Sequence, residues 1–492
     1  MKRTLLTLFT LITTLTLHAE VHMPTFFSDG MVLQQKNNAP LWGTAKPNAT
    51  LRIKTSWDNK SHSTHVSSDG SWRTTVMTPP AGGPYDITID DGKSLTLRNV
   101  LIGEVWLCSG QSNMEMPMEG FKGQPVDGAM VDLMNSSDPN LHVFTVKRAS
   151  AFTPQSDVVG TWQAANPKSI RSFSAAAYYF GKQLRESLNV PIGLILTSWG
   201  GSSCEAWMNR SWLKEFPQVQ PENNSDPRNL YIVPTTASDI KSKNRTPTVL
   251  YNAMLHPLIG YSIRGVIWYQ GEDNVPRYQS YSAMLSRMIK GWRDDWQQPE
   301  LPFYFCQIAP YDYSLIGWKV NSALLREQQQ VVEKTVSHTG MAVLMDAGLR
   351  YGIHPRKKRE AGERLAMLAL SDTYGFDGLS KNARYESVEF HSDTAVVRFD
   401  RSRMWIYFDT DQPSRNFEVA GSDRIFHPAK AWISTNRLYL VSPEVNRPVA
   451  VRYAFHNWAV ADLFCDGLPI SSFRTDTWDD NVDISSGVEY DK

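Results

Sequence analysis

Gly103-Glu-Val-Trp-Leu-Cys108-Ser-Gly-Gln-Ser112-Asn-Met-Glu115-Met-Pro-Met118 decides the fold. Val105 to Cys108 is a short apolar run of β-favouring residues, and it ends in Ser-Gly-Gln-Ser-Asn. That pattern predicts a buried strand running into a turn, with Ser112 at the strand's carboxyl end. In open α/β sheets the carboxyl edge is where ligands bind. A serine on such a turn presents its hydroxyl to solvent, and the backbone N–H groups after it can face an anion. The same spacing also suits a serine that merely starts a helix.

Outward from this stretch, strands and helices alternate. Val105–Cys108, Ile192–Thr197, Gly265–Tyr269, Phe303–Ile308 and Met341–Met345 read as strands. Phe173, Ala176, Ala177, Phe180, Leu184 and Leu188 fall at helical spacing, as do Tyr281, Met284, Leu285, Met288, Ile289 and Trp292. Ser322 to Val336 and Arg356 to Leu370 predict two further helices. Such alternation calls for a parallel sheet covered on both faces. The aromatic and Met stripes are therefore core. No G-x-G-x-x-G or P-loop occurs, so no nucleotide cofactor is implied.

On either side the pattern is β. Residues 22–98 give short strands such as Leu51-Arg-Ile-Lys-Thr and Trp72-Arg-Thr-Thr-Val, punctuated by Ser68-Asp-Gly and similar turns. From Ala383, Ala395-Val-Val-Arg-Phe, Arg437-Leu-Tyr-Leu-Val and Val449-Ala-Val-Arg-Tyr repeat it. The expected division is a leader at 1–19, a β-sandwich-like module at 20–98, an α/β domain at 99–375 and a second β-sandwich-like module at 376–492. Residues 210–248 are irregular, rich in Pro, Asn, Ser and Lys, and form an insertion near the cleft mouth. At ~150 residues per domain, a chain of 492 residues accommodates this.

Lys+Arg and Asp+Glu both number 50, so no charge excess argues for nucleic acid or an anionic membrane as partner. Met-Lys-Arg, an apolar run to Leu17 and then Ala19 form a signal-peptide pattern, too short to span a membrane. The expectation is an exported chain, periplasmic or secreted, with no membrane span once mature. Cys108, Cys204, Cys306 and Cys465 show no metal spacing. The first three lie in or beside predicted buried strands, which favours free thiols.

The stretch Gly103–Glu115 resembles the nucleophile block of the sialate O-acetylesterase family, within the SGNH hydrolase superfamily. Phe27-Ser-Asp-Gly-Met-Val-Leu-Gln resembles its opening block, and the segment from Val451 to Phe473-Arg-Thr-Asp its carboxyl-terminal region. The resemblance runs from about residue 24 to about 476. It implies an SGNH-like three-layer α/β/α domain and an esterase with Ser112 as nucleophile. An acetylated carbohydrate is the implied substrate, with O-acetylated sialic acid foremost.

Ester hydrolysis needs a nucleophile, a base, an orienting partner for the base, and oxyanion donors. Of the 11 histidines, His354 follows the last predicted strand, in Asp346-Ala-Gly-Leu-Arg-Tyr-Gly-Ile-His354-Pro. This Ile-His-Pro block resembles the family's catalytic histidine block. His256 lies at a predicted helix end and reads as packing. Many SGNH enzymes carry an aspartate three residues before the histidine, where this chain has Tyr351. Asp346 is the nearest upstream acid, and a backbone carbonyl is the alternative orienting group. Ser198-Trp-Gly-Gly201 resembles the superfamily's glycine block. It implies Gly201, or its neighbour Gly200, as an oxyanion donor beside the Ser112 N–H. Gln270, in Trp268-Tyr-Gln270-Gly-Glu272, stands where the superfamily carries its asparagine block and is the expected third donor, supported by Glu272. Equally, Gln270 suits a buried amide that satisfies loop backbone. An anionic sugar would want a cleft cation, for which Arg326 and Arg350 are candidates.

These blocks contact the acetyl group, so an acetylxylan or other hemicellulose acetylesterase fits as well. A carbohydrate-binding protein with a silent hydrolase centre is the reading from another class. Activity is expected to fall between neutral and mildly acid pH as His354 takes up a proton.

Overall fold

The computed structural model describes residues 20–223, 228–379, 381–400 and 405–478; the leader expected at 1–19 lies outside them. Its centre is a sheet in the spatial order Thr339–Ala342, Phe303–Cys306, Gly265–Tyr269, Ser94–Gly110, Ile192–Ser198, Asp138–Thr145, Trp162–Ala165. The first six pair in parallel; Trp162–Ala165 closes the edge antiparallel. Cys108 pairs with Leu196 on one side and Ile267 on the other, so the Ser94–Gly110 strand sits mid-sheet.

Side chains alternate between two cores, as a period of two demands. Val105, Leu107, Val266, Trp268, Phe303 and Phe305 enter one. Trp106, Cys108, Ile267, Tyr269, Tyr304 and Cys306 enter the other. Tyr281–Trp296 and Ala323–Thr335 cover the first face, and Ala175–Leu188 and Lys358–Asp372 the second. The result is a three-layer α/β/α domain. The predicted last strand Met341–Met345 is paired over Thr339–Ala342 instead, because its hydrogen-bond partner Phe303–Cys306 is itself only four residues long.

The Ser94–Gly110 strand belongs to two layers at once. Its first half pairs antiparallel with Gly82–Asp90, and its second half lies inside the parallel sheet. Thr50–Thr55 adds to Gly82–Asp90 and to Ser61–His65, and Asn38–Thr44 pairs antiparallel with Ser71–Met77 in a separate two-stranded sheet. Beyond residue 383 the described residues form three separate antiparallel sheets. Arg326, fully buried, ties the segments at His456 and Ser472, beside one of these sheets, to the α/β layer: its guanidinium donates to Ser472 Oγ at 3.1 Å and to the His456 carbonyl at 2.5 Å. All four cysteines are buried free thiols. Among the described residues, no helix is long and apolar enough to cross a membrane.

Candidate active site

The central strand ends at Gly110, with φ +143°. A Cβ there would stand 2.2 Å from the Tyr269 carbonyl oxygen, so the neighbouring strand leaves room for hydrogen only. Gln111 then donates its N–H to Tyr269 O at 3.0 Å, which turns the chain. Ser112 opens the four-residue helix Ser112–Glu115. Neither its N–H nor its hydroxyl has a hydrogen-bond partner among the described residues. Both groups stand at the carboxyl edge of the sheet, as the sequence predicts.

A cavity of about 410 Å³ opens over this edge, and Ser112, Gly200, Gly201, Glu272 and His354 line it. The structure thus brings four distant loops to one place. Gln270 and Asp346 are not among the lining residues. No hydrogen bond joins the Ser112 hydroxyl to the His354 ring, a common state of catalytic pairs before substrate binds.

His354 is half-buried. Its Nδ1 lies 2.6 Å from Gln124 Oε1, and Phe121 packs its ring edge-on at 5.0 Å and 67°. Phe121 and Gln124 are locked to each other by paired backbone hydrogen bonds of 3.0 and 2.8 Å. The amide oxygen can only accept, so Nδ1 carries the proton and Nε2 the lone pair. Burial, and then the nearby Lys358 cation, push the His354 pKa down to about 4. The imidazole therefore takes up its proton at lower pH than the sequence suggests. Asp346, the aspartate expected to orient His354, is engaged elsewhere. Its two oxygens accept from the Arg364 guanidinium at 2.7 and 2.6 Å, on the helix that follows. Chain proximity suggested Asp346; an arginine one helical face away competes for it successfully. Gln124 had no signal in the sequence, because it lies in an ordinary turn 230 positions from the histidine.

The glycine block is more constrained than the sequence implies. The Gly200 N–H is already donated to Glu115 Oε2 at 2.7 Å, and Arg148 Nε holds the other Glu115 oxygen at 2.5 Å. Gly201, at φ +66°, keeps an N–H with no acceptor among the described residues. Of the two glycines left open by the sequence, only Gly201 has a donor to offer.

Gln270 is a correction. It is fully buried, and its amide nitrogen donates to Ser202 O at 3.1 Å and to Asn274 Oδ1 at 2.7 Å. Tyr281 donates its hydroxyl to Gln270 Oε1 at 2.9 Å. Both amide hydrogens are spent on protein, so Gln270 fastens loops and has no hydrogen left for an oxyanion. Glu272, two residues on, does reach the site. Its Oε1 accepts from Asn113 Nδ2 at 2.5 Å. The same Nδ2 donates to Ile353 O at 3.1 Å, and Asn113 Oδ1 accepts from Lys358 Nζ at 2.5 Å. One amide thereby joins the serine turn, the histidine loop, the 270 loop and the next helix. Burial raises the Glu272 pKa. Burial lowers the Lys358 pKa to about 7, opposed by the Glu272 charge.

Neither Arg326 nor Arg350 lines the cavity; Arg148 and Arg245 do. Each is paired with a carboxylate, Arg148 with Glu115 at 2.5 Å and Arg245 with Asp273 at 2.7 Å. Among the described residues there is no group of His, Cys, Asp and Glu side chains suited to a metal ion.

A fixed serine turn, a neutral imidazole and an unpaired glycine N–H around one cavity suit acyl transfer. Comparison with known proteins agrees. Residues 102–371, more than half of the chain, match the family model of carbohydrate esterases described as sialic acid-specific acetylesterases. The rat (Rattus norvegicus) sialate O-acetylesterase is 29% identical over 409 residues, covering 72% of this chain and 74% of that protein. The Pongo abelii sialate O-acetylesterase is 29% identical over 480 residues, covering 88% and 87%. A crystal structure of a carbohydrate acetylesterase from Xanthomonas citri superposes with a TM-score of 0.83 at 34% identity, covering 93% of this chain and all of that one.

Proposed function

The chain belongs to the carbohydrate esterase family of sialic acid-specific acetylesterases, an esterase acting on acetyl groups of sugars, and we propose that it deacetylates O-acetylated sialic acid through an acyl-enzyme on Ser112. The shared cavity of Ser112, His354 and the unpaired Gly201 N–H carries the acyl-enzyme, and the sialic acid-specific family model with its sialate O-acetylesterase relatives supports the substrate. His354 Nε2 takes the Ser112 proton as Oγ attacks the acetyl carbonyl. The N–H groups of Gly201 and Ser112 receive the oxyanion. His354 then protonates the departing sugar hydroxyl, and water, activated by the same imidazole, releases acetate. Gln124, in the place expected for Asp346, keeps the imidazole in the tautomer this needs.

A second substrate reading, a neutral acetylated hemicellulose, is favoured by the charges of the cavity. Arg148 and Arg245 already have carboxylate partners, and Glu272 adds a further acid. Acetate release from acetylated sialosides and acetylated xylo-oligosaccharides decides between them: a sialate enzyme deacetylates the sialosides at least tenfold faster, and the reverse order assigns it to hemicellulose. We also propose export, on the pattern of residues 1–19 and its small residue Ala19. Sequencing the mature amino terminus tests it, and an intact Met1 in the exported fraction refutes cleavage.

The Ser112→Ala chain should release no nitrophenol from p-nitrophenyl acetate above the buffer rate. Rates for both proteins no higher than the buffer rate would leave a carbohydrate-binding role instead.

A further inference from the structure

A backbone N–H stabilises an oxyanion only if it points at it, and a glycine flanked by a glycine does not fix its own direction. The Gly200–Gly201 peptide is planar and trans, so the Gly200 carbonyl and the Gly201 N–H point opposite ways. Asn244 Nδ2 donates to that carbonyl at 2.7 Å. The Asn244 amide is itself oriented, because its Oδ1 accepts from Ser242 Oγ at 2.8 Å. Ser242 is held in turn: its N–H donates to Thr246 Oγ1 at 3.0 Å, and its Oγ accepts the Arg245 N–H at 3.2 Å. On the opposite side, Glu115 holds the Gly200 N–H. Gly200 is thus pinned at both backbone groups from two segments. It lies against the serine as well: a Cβ on it would be 3.3 Å from the Ser112 Cβ.

We propose that Asn244, carried by the irregular 210–248 segment, is a positioning residue for acetyl transfer: its grip on the Gly200 carbonyl aims the Gly201 N–H at the acyl oxygen. The proposal rests on the reading of Ser112 as nucleophile and Gly201 as oxyanion donor. It gives the irregular segment a task in the chemistry, beyond bordering the cleft. Asn244 touches no reacting atom. Its loss frees the peptide to rotate, and the donor is then misdirected in part of the population.

The test compares Asn244→Ala and Asn244→Asp with wild type and Ser112→Ala on p-nitrophenyl acetate. Losing an oxyanion donor outright costs ~10²–10³ in kcat, so losing its aim should lower kcat by about 10- to 100-fold. KM should stay within about twofold. Asp, which presents oxygen to the Gly200 carbonyl, should lose at least as much as Ala. A trifluoromethyl ketone that adds to the serine hydroxyl reads the same donor without turnover. Its affinity should fall in parallel with kcat, while KM and the melting temperature stay unchanged. A merely structural role would lower the melting temperature and raise KM as kcat falls. Wild-type kcat in both Asn244 variants, with Ser112→Ala inert, overturns the proposal and leaves the nucleophile standing. Wild-type activity in Ser112→Ala overturns the nucleophile reading and the proposal with it.

Discussion

The floor and the rim of the cavity are held by opposite means. The floor is a chain of charge and amide: Lys358, Asn113 and Glu272 are each at most 2% exposed and bonded in series. Its parts come from element ends: the turn after the central strand, the turn after Gly265–Tyr269 and the first residue of Lys358–Asp372. The rim is neutral. Gln124 holds His354 and Asn244 holds Gly200, both from irregular segments and partly exposed. The difference follows from water. In a dry floor an unpaired charge is costly, so opposite charges bridged by an amide fix the geometry strongly. At a rim that exchanges water for substrate, a neutral amide aims a group without a charge to be resolvated at each turnover.

The largest expected effect tests what both layers serve. Ser112→Ala should lower kcat by on the order of 10⁴-fold or more. Its melting temperature should be unchanged, since its hydroxyl bonds to nothing among the described residues. A residual rate near wild type would remove the reason for comparing floor with rim. Next comes the floor. Lys358→Met strands the Glu272 charge and should destabilise the fold by ~3–5 kcal/mol, whereas adding Glu272→Gln removes that charge and should recover most of the loss. Denaturant midpoints of the two variants check this, and a Lys358→Met protein as stable as wild type would mean the floor is not held by charge.

The rim should respond in rate and not in stability. Gln124→Ala should lower kcat about tenfold, part of the ~10²–10⁴ a positioned base contributes. Its stability should change by under ~1.5 kcal/mol, the usual worth of one hydrogen bond. Equal losses in both quantities would erase the distinction between the layers. The smallest effect is on pH. The base must be neutral, and its pKa lies near 4, so kcat/KM should stay level from neutral pH down to about 5 and fall only around 4. Lys358 opposes the imidazolium, so Lys358→Met should move the acid limb upward in pH. Stability follows the same sign. Below the ordinary histidine pKa of ~6.5 the unfolded chain gains a proton that folded His354 refuses. Its contribution is therefore whole above ~6.5 and falls away between there and about 4.

Much of this was legible in the residues alone. The period of two in Val105–Cys108 and Gly265–Tyr269, broken by helical spacing between, dictates a covered parallel sheet. Its carboxyl edge points to Ser112 and His354, and the resemblance to the superfamily's glycine block adds the glycine pair. Glu272, expected as support for Gln270, accepts from Asn113 instead. Asp346, the nearest upstream acid, and Gln270, at the place of the superfamily's asparagine block, each have another partner in the fold. Gln124, Asn113 and Asn244 carried no signal, because an amide in a turn looks alike whether it faces solvent or an imidazole.

The sequence therefore determined the layers and the edge where chemistry gathers, since hydrophobic period and turn residues are local and act wherever the chain goes. Only the tertiary structure decided which side chain orients the histidine, which glycine N–H stays free and which charges lie beneath the serine. A hydrogen bond is decided by direction and by competition among groups hundreds of positions apart, and those meet only once the loops have closed.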